Sequence, residues 1–194
     1  MFYQTLKHRS SRRGFTLVEI LAVVVILGIA SAIIIPQIGT RDDLRAAAAA
    51  RVLIADLIYA QNLAISSGKG VYIKFEKASN KYSMLTEDAS GFPTVAISHP
   101  VTQTSYVVQF GDVNASREDS WETVSINSVT LNGIDPAFHG EFTVGFDEIG
   151  APYVWCYDVN QRNDLADPAS IVLKAGNFTK TVNIAAATGG ITVN

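Results

Sequence analysis

Cysteine occurs once, at position 156, so neither an intramolecular disulfide nor a thiolate cage for a metal is open to this chain of 194 residues. Histidine is scarce as well, and His99 and His139 stand alone in turn-like segments, where a histidine is more often surface or hydrogen-bonded filler than a catalyst. No nucleophile elbow, phosphate loop, zinc-protease helix or dinucleotide fingerprint is present, and Gly68-Lys69-Gly70 lacks the spacing of any of them. Asp135, His139 and Glu141 match no ligand set, so neither an enzyme nor a metal centre is expected. No repeat of twenty to fifty residues and no low-complexity tract suggests a solenoid or a disordered chain.

What the sequence does hold is one concentrated apolar tract. From Phe15 to Ile35, 17 of 21 residues are hydrophobic, whereas the chain from Pro36 onward is about 45% hydrophobic, which is ordinary for a single globular domain. At 1.5 Å rise per residue the tract spans roughly 31 Å as a helix, close to the hydrocarbon thickness of a bilayer. Lys7, Arg9, Arg12 and Arg13 precede it without any acid, so residues 1–14 are expected on the cytoplasmic side and the large domain outside. A buried soluble helix fits poorly, because helices apolar on every face at this length are rare outside membranes. An ordinary secretory signal finds a small-x-small site at Ala30-Ser31-Ala32, but Ile33, Ile34 and Ile35 carry the apolar run past it.

A plain anchor explains the length and leaves Glu19 unexplained. A charged side chain at membrane depth costs about 2.5–3.5 kcal/mol on insertion scales and asks for a cationic partner. No Lys or Arg lies between Arg13 and Arg41, so the partner must come from elsewhere, and cleavage after Gly14 would create one at Phe15. Such an α-amine is largely protonated at neutral pH and suits the Glu19 carboxylate of a neighbouring copy. Arg13-Gly14-Phe15-Thr16-Leu17-Val18-Glu19, followed by the apolar tract and Pro36, resembles the N-terminal signature of type IV prepilins and type II secretion pseudopilins. The resemblance covers residues 12–40 and implies cutting by a prepilin peptidase after Gly14. It also implies N-methylation of Phe15 and a role for Glu19 in assembly.

Beyond the tract, Pro36 is expected to kink the rod near that point, since it withholds a helical donor and crowds the preceding turn. From Arg41 the chain reads as helix, with Ala46, Ala50, Leu53, Leu57, Ala60 and Ala64 on one stripe and Gly68 as its C-terminal cap. Short alternating runs then predict strands at 71–75, 82–85, 106–110, 124–131, 142–146, 154–157, 171–174, 181–184 and 191–193, with tight turns at Asn132-Gly133 and Thr188-Gly189-Gly190. The fold class is α+β, a long N-terminal helix packed on a β-rich domain, as in pilins. Its parts are a basic leader (1–14), a membrane-spanning polymerisation helix (15–36), the periplasmic half of that helix (37–67) and the β-rich domain (68–194).

Three shorter stretches carry a second resemblance. Tyr59-Ala60-Gln61-Asn62-Leu63-Ala64-Ile65, Phe146-Asp147-Glu148-Ile149-Gly150-Ala151-Pro152, and Val182-Asn183-Ile184 before Thr188-Gly189-Gly190-Ile191-Thr192-Val193 are similar to the H-type minor pseudopilins and T-type minor pilins (the GspH/FimT group). The resemblance implies a minor structural subunit of a type II secretion pseudopilus or type IV pilus, at initiation or tip. Its partners would be the prepilin peptidase, other pilin or pseudopilin subunits through their N-terminal helices, and an inner-membrane assembly platform. Before assembly it would sit in the bacterial inner membrane as a single-pass protein with its C-terminal domain in the periplasm. Residues 86–140 match nothing.

Charge is segregated, with a net of −11 over residues 82–168, which reads as a solvated acidic face. The loop Asp158–Asp167 begins like a calcium loop, then places Arg162 at a ligand position and Asp164 where the sharp-turn glycine belongs. No cofactor is therefore expected, and calcium stays as a question only because some pseudopilins bind it. Lys69, Lys74, Lys77 and Lys81 are the sole candidate patch for nucleic acid and are diluted by Glu76, so no nucleic-acid partner is expected. Two alternatives remain, a secreted soluble β-domain cut after Ala32 and a competence-type DNA-receptor pilin.

Overall fold

The computed structural model describes residues 14–38, 42–111, 123–131, 141–156 and 161–194, the side chains of 32–38 and 141 excepted. It divides into two compact units, residues 1–40 and 41–194. In the first, helix α1 runs from Leu17 to Ile38. Pro36 withholds one donor from the carbonyl four residues back, and the helix outlasts that gap by two residues. The proline therefore does not end the helix. Residues 39–41, where one continuous rod was expected, lie outside the described residues.

The second unit opens with α2, Asp42–Ser67, whose first turn carries Asp42 and Asp43 in complement to the helix dipole. Gly68 closes it with φ +61° and an amide donating to the Ala64 carbonyl at 3.0 Å, the capping role that its position predicts. All six residues of the expected stripe are buried, joined by Ala49 and Asp56. On composition α2 is long and apolar enough to cross a membrane, but its apolar side is already committed to the protein interior.

Eleven strands follow, β1 Val71–Glu76, β2 Lys81–Glu87, β3 Pro93–Ala96, β4 Val107–Gln109, β5 Val124–Thr130, β6 Glu141–Phe146, β7 Pro152–Cys156, β8 Gln161–Asp164, β9 Ala169–Ala175, β10 Phe178–Ile184 and β11 Ile191–Val193. They form two antiparallel sheets, one ordered β3-β2-β1-β6-β7-β8 with β4 also on β2, the other β11-β10-β9-β5. Nine of the eleven fall where alternation placed them. β3 and β8 do not. β3 is four residues long, opens on Pro93 and is exposed from there on, and β8 is wholly polar and exposed, so neither carries an alternating apolar signal. β3 pairs with Leu85–Glu87 while β4 pairs with Lys81–Ser83, so two short strands share one edge of β2 and enclose the loop closed by the Ser98–Ser105 bridge. The Asn132-Gly133 turn lies outside the described residues.

The core lies between α2 and the inner rows of both sheets, where Val71, Ile73, Phe75, Met84, Val144, Phe146, Ile171, Leu173, Val182 and Ile184 are almost fully buried. The opposite face of the first sheet holds a smaller aromatic cluster. There Tyr72 meets Tyr153 and Trp155 edge-on, and Phe92 meets Trp155 the same way. Gly145 makes this possible, since a Cβ there would come within 2.6 Å of the Tyr153 ring and 2.9 Å of the Tyr72 ring.

Asp56 is the polar exception in the helix stripe. Its two oxygens accept from Tyr82 at 2.5 Å and Tyr106 at 2.7 Å, tying β2 and the start of β4 to the helix, and Tyr106 also stacks on Tyr59 at 5.9 Å. Burial lifts the carboxyl above its ordinary value, partly offset by the two tyrosine hydroxyls and by His99. Asp56→Ala leaves both hydroxyls without an acceptor and is expected to cost about 2–4 kcal/mol in urea unfolding of the chain. Because the folded state holds this proton more tightly than the unfolded chain, the stabilisation from Asp56 is fully present below the ordinary carboxylate range. It declines as pH rises through the raised value, and a pH series should show that slope disappear in Asp56→Asn.

Candidate functional site

The chemistry expected of the N-terminal segment depends on what surrounds Gly14, Phe15 and Glu19. Among the described residues Gly14, Phe15 and Thr16 precede α1, and every residue from 14 to 31 except Ala30 is exposed. Phe15 is 77% exposed, and α1 is apolar around its circumference, with Leu17, Leu21, Val24, Ile26 and Ile29 all open. In water such a surface is untenable, whereas a bilayer or a sheath of other helices would satisfy it.

Glu19 has no Lys or Arg beside it in sequence, but it does have a hydrogen-bond partner inside its own chain. Its carboxylate accepts from the Thr16 amide at 3.5 Å, and its own amide donates to the Thr16 hydroxyl at 3.3 Å. This is a reciprocal capping box, with Thr16 as the cap and Glu19 three residues on. The signal was present in the sequence as Thr-x-x-Glu at the head of an apolar run. The Thr16 amide gains an acceptor, the Glu19 amide is shared between the Thr16 hydroxyl and the Thr16 carbonyl at 3.1 Å, and the carboxylate sits at the positive end of the helix dipole. Pro36 lies inside α1, two residues from its end.

In the β-rich unit the three short stretches singled out in the sequence come together around one side chain. Gln61 of α2 donates to the carbonyl of Gly150 at 2.8 Å. Gly150, at φ +82°, ends the β6–β7 turn, and a Cβ there would meet Ile65 at 2.9 Å. Gly189, at φ +65° in the β10–β11 turn, packs so closely that a Cβ would fall 2.5 Å from Gln61 Nε2 and 2.9 Å from the Gly150 carbonyl. Glycine is required at both turns by conformation and by space. Asp147 organises the first of them, accepting from Ile149 at 3.1 Å, from Ala151 at 2.7 Å and from Arg162 at 2.7 Å. Burial alone would raise the Asp147 carboxyl, but the guanidinium and the two amides outweigh it and hold the group below its ordinary value.

Arg162 explains part of the oxygen-rich loop. It lies in β8, with its guanidinium bound to Asp147 and 4.0 Å over the Tyr153 ring. A cation therefore occupies this corner already. Residues 157–160 lie outside the described residues, as do Asp135 and His139 and the side chain of Glu141. Among the described residues no group of three or more His, Cys, Asp or Glu side chains is placed to hold a metal ion. His99 accepts from the Val101 and Thr102 amides through Nδ1, at 3.2 and 3.3 Å, and its ring packs on Tyr106, so it organises a loop. Of the lysine patch, Lys81 is paired with Glu76 at 3.0 Å.

The model of the prokaryotic N-terminal methylation motif matches residues 9–35. The type II secretion system core protein G of Pseudomonas aeruginosa is 54% identical over 35 residues, which is 18% of this chain. The match spans a quarter of that relative's length. Two solved structures of the minor pseudopilin EpsH from the type II secretion system of Vibrio cholerae superpose with TM-scores of 0.50, at 10% and 11% identity, over 77% and 78% of this chain and 96% and 94% of theirs. At that identity the likeness is one of fold, and the fold is pilin-like, an apolar N-terminal helix followed by a β-rich domain.

Gly189→Ala adds a methyl group where both the backbone and Gln61 forbid it, and is expected to cost about 2–3 kcal/mol in thermal or urea unfolding. Coupling to Gln61→Ala in a double-mutant cycle should recover part of that loss.

Proposed function

We propose that this chain, prepilin-like at its N terminus and pseudopilin-like in fold, is a minor pseudopilin, a structural subunit of a type II secretion pseudopilus or the equivalent subunit of a type IV pilus. The single observation that carries the reading is the lone carboxylate Glu19, set four residues beyond Phe15 at the head of a helix exposed and apolar on every side. No soluble enzyme or free binding module has a use for that arrangement.

The sequence of events follows from the chemistry. The basic leader holds residues 1–14 on the cytoplasmic side while α1 crosses the inner membrane, with the β-rich unit in the periplasm. During this stage the capping box gives Glu19 a hydrogen-bond partner within the chain, which lowers the cost of holding a carboxylate near hydrocarbon. A prepilin peptidase then cuts after Gly14 and methylates the new amine of Phe15. The amine is the cation the apolar tract otherwise lacks. In the filament the Phe15 amine of one subunit faces the Glu19 carboxylate of the next, and each neutralises the other where an unpaired charge would be costly. Other pilin-like subunits, through their N-terminal helices, and an inner-membrane assembly platform are the partners. Catalysis by the chain has no place in this scheme, and neither does a cofactor. With Arg162 already on Asp147, calorimetric titration with calcium should give no heat.

N-terminal sequencing of the chain extracted from membranes of cells carrying the assembly machinery should begin at Phe15, methylated. A terminus at Ile33 would instead mark a secreted protein and end the pilin reading. Glu19→Ala should leave membrane insertion intact and reduce incorporation into filaments by about tenfold or more, read by shearing and immunoblotting.

A further inference from the structure

Phe178 stands out among the described side chains. By strand alternation it belongs to the helix-facing row of β10, with Lys180, Val182 and Ile184. Val182 and Ile184 are fully buried under α2, yet Phe178 is 45% exposed. It lies where β10 begins, beside the two-residue turn that joins it to β9. That turn lies close against the start of α2, for a Cβ on Gly176 would run into the Asp42 carboxylate. Asp42 is bound in turn by Arg45 at 3.2 Å, and Arg45 reaches Thr123, at the entry to β5, at 3.3 Å. The first turn of α2, the β9–β10 turn and the entry to β5 thus make up one end of the β-rich unit. At this end Leu44, on the outer side of α2, is 63% exposed. A core-facing aromatic and a leucine are left uncovered at the end through which the chain enters.

The length of chain before Asp42 indicates what covers them. Only three residues separate Ile38 from Asp42, and four Cα steps reach about 14 Å at most. If α1 spans a bilayer, as proposed above, the end of the unit bearing Asp42 is tethered within that distance of the lipid surface. Aromatic and aliphatic side chains are favoured at that depth. Arg45 is offset by Asp42, and Asp43 adds an acid, so headgroup charge is not what attracts this end. We infer that Phe178 and Leu44 form a lipid-contact surface, on which the β-rich unit rests against the outer leaflet before the subunit leaves the membrane. The contact is apolar and insensitive to salt. It rests on α1 being a membrane span.

The test uses the full chain in vesicles of phosphatidylethanolamine and phosphatidylglycerol, with p-benzoylphenylalanine placed singly at Phe178, at Ile149 or at Leu27. Ile149 is 79% exposed in the β6–β7 turn, beside the Gly150 that packs on the far end of α2, and serves as the distal control. Irradiation should give lipid adducts at position 178 at least about fivefold above those at 149, with a yield unchanged between low and high salt. Adducts at 27 without excess at 178, or adducts at 178 to a second protein copy in place of lipid, would overturn the lipid-contact surface and leave the span intact. Absence of lipid adducts at 27 would overturn the span itself, and the surface with it.

Discussion

The seating of α2 across two sheets is the constraint on which the rest of the β-rich unit depends. Neither sheet can bury its inner row alone, and the stripe from Ala46 to Ala64 is an apolar surface that reaches both. Small residues dominate the stripe, so the helix backbone approaches the sheets closely and large side chains such as Phe75, Phe146 and Leu173 fill the space from the other side. A helix on a flat apolar surface is free to slide or rotate unless polar contacts fix its position. Among the described residues three sets do so, Asp42 and Arg45 on Thr123 at the entry to β5, Asp56 under Tyr82 and Tyr106, and Gln61 on Gly150. They lie near the start, the middle and the end of the helix. Slippage by one residue would break all three at once.

Much of this architecture was legible in the sequence because it rests on periodicity. The helix stripe and nine of the strands follow from spacings of apolar residues, and Gly68 follows from cap chemistry. What could not be read is what depends on long-range contact. Asp56 looks like a surface acid one position before Leu57, and only the fold shows two tyrosines from distant strands converging on it. β8 carries no apolar residue at all, so alternation has nothing to register, and its pairing with β7 is secured instead by Arg162 on Asp147 and Tyr153. The three short stretches around Gln61, Gly150 and Gly189 were visible as motifs, but their reason was not. They form one joint, and two of the glycines are places where a side chain would separate the helix from its turns.

At the N terminus the reverse holds. In the sequence Glu19 stands out as a charge without a nearby Lys or Arg, whose expected cation is the Phe15 amine of a neighbouring copy. The Thr16 amide and hydroxyl show that a helix start is itself a source of donors. In the single chain the carboxylate at that position caps the helix, and in the filament proposed above the same group would face the amine of Phe15. The local cap is weak enough to give way, with contacts of 3.3 and 3.5 Å, and a charge-assisted pair in low dielectric is the stronger of the two.

The two helices also show how composition alone can mislead. α1 and α2, at 22 and 26 residues, are both long enough to span a bilayer, and α2 is also apolar enough on composition to do so. They differ in where their charges lie. α1 keeps its one acid at the first turn, where a cap and the helix dipole hold it, and its sequence carries no charge beyond. α2 distributes Asp42, Asp43, Arg45, Arg51 and Asp56 along more than half its length, so that no stretch of it long enough to span a bilayer is free of charge. Its apolar residues instead fall on one side, which a sheet can cover. An apolar cylinder fits any apolar surroundings, lipid or related helices, and so distinguishes poorly between partners. A one-sided helix locked to two sheets builds a particular surface, and that is where a subunit of this kind acquires its individuality.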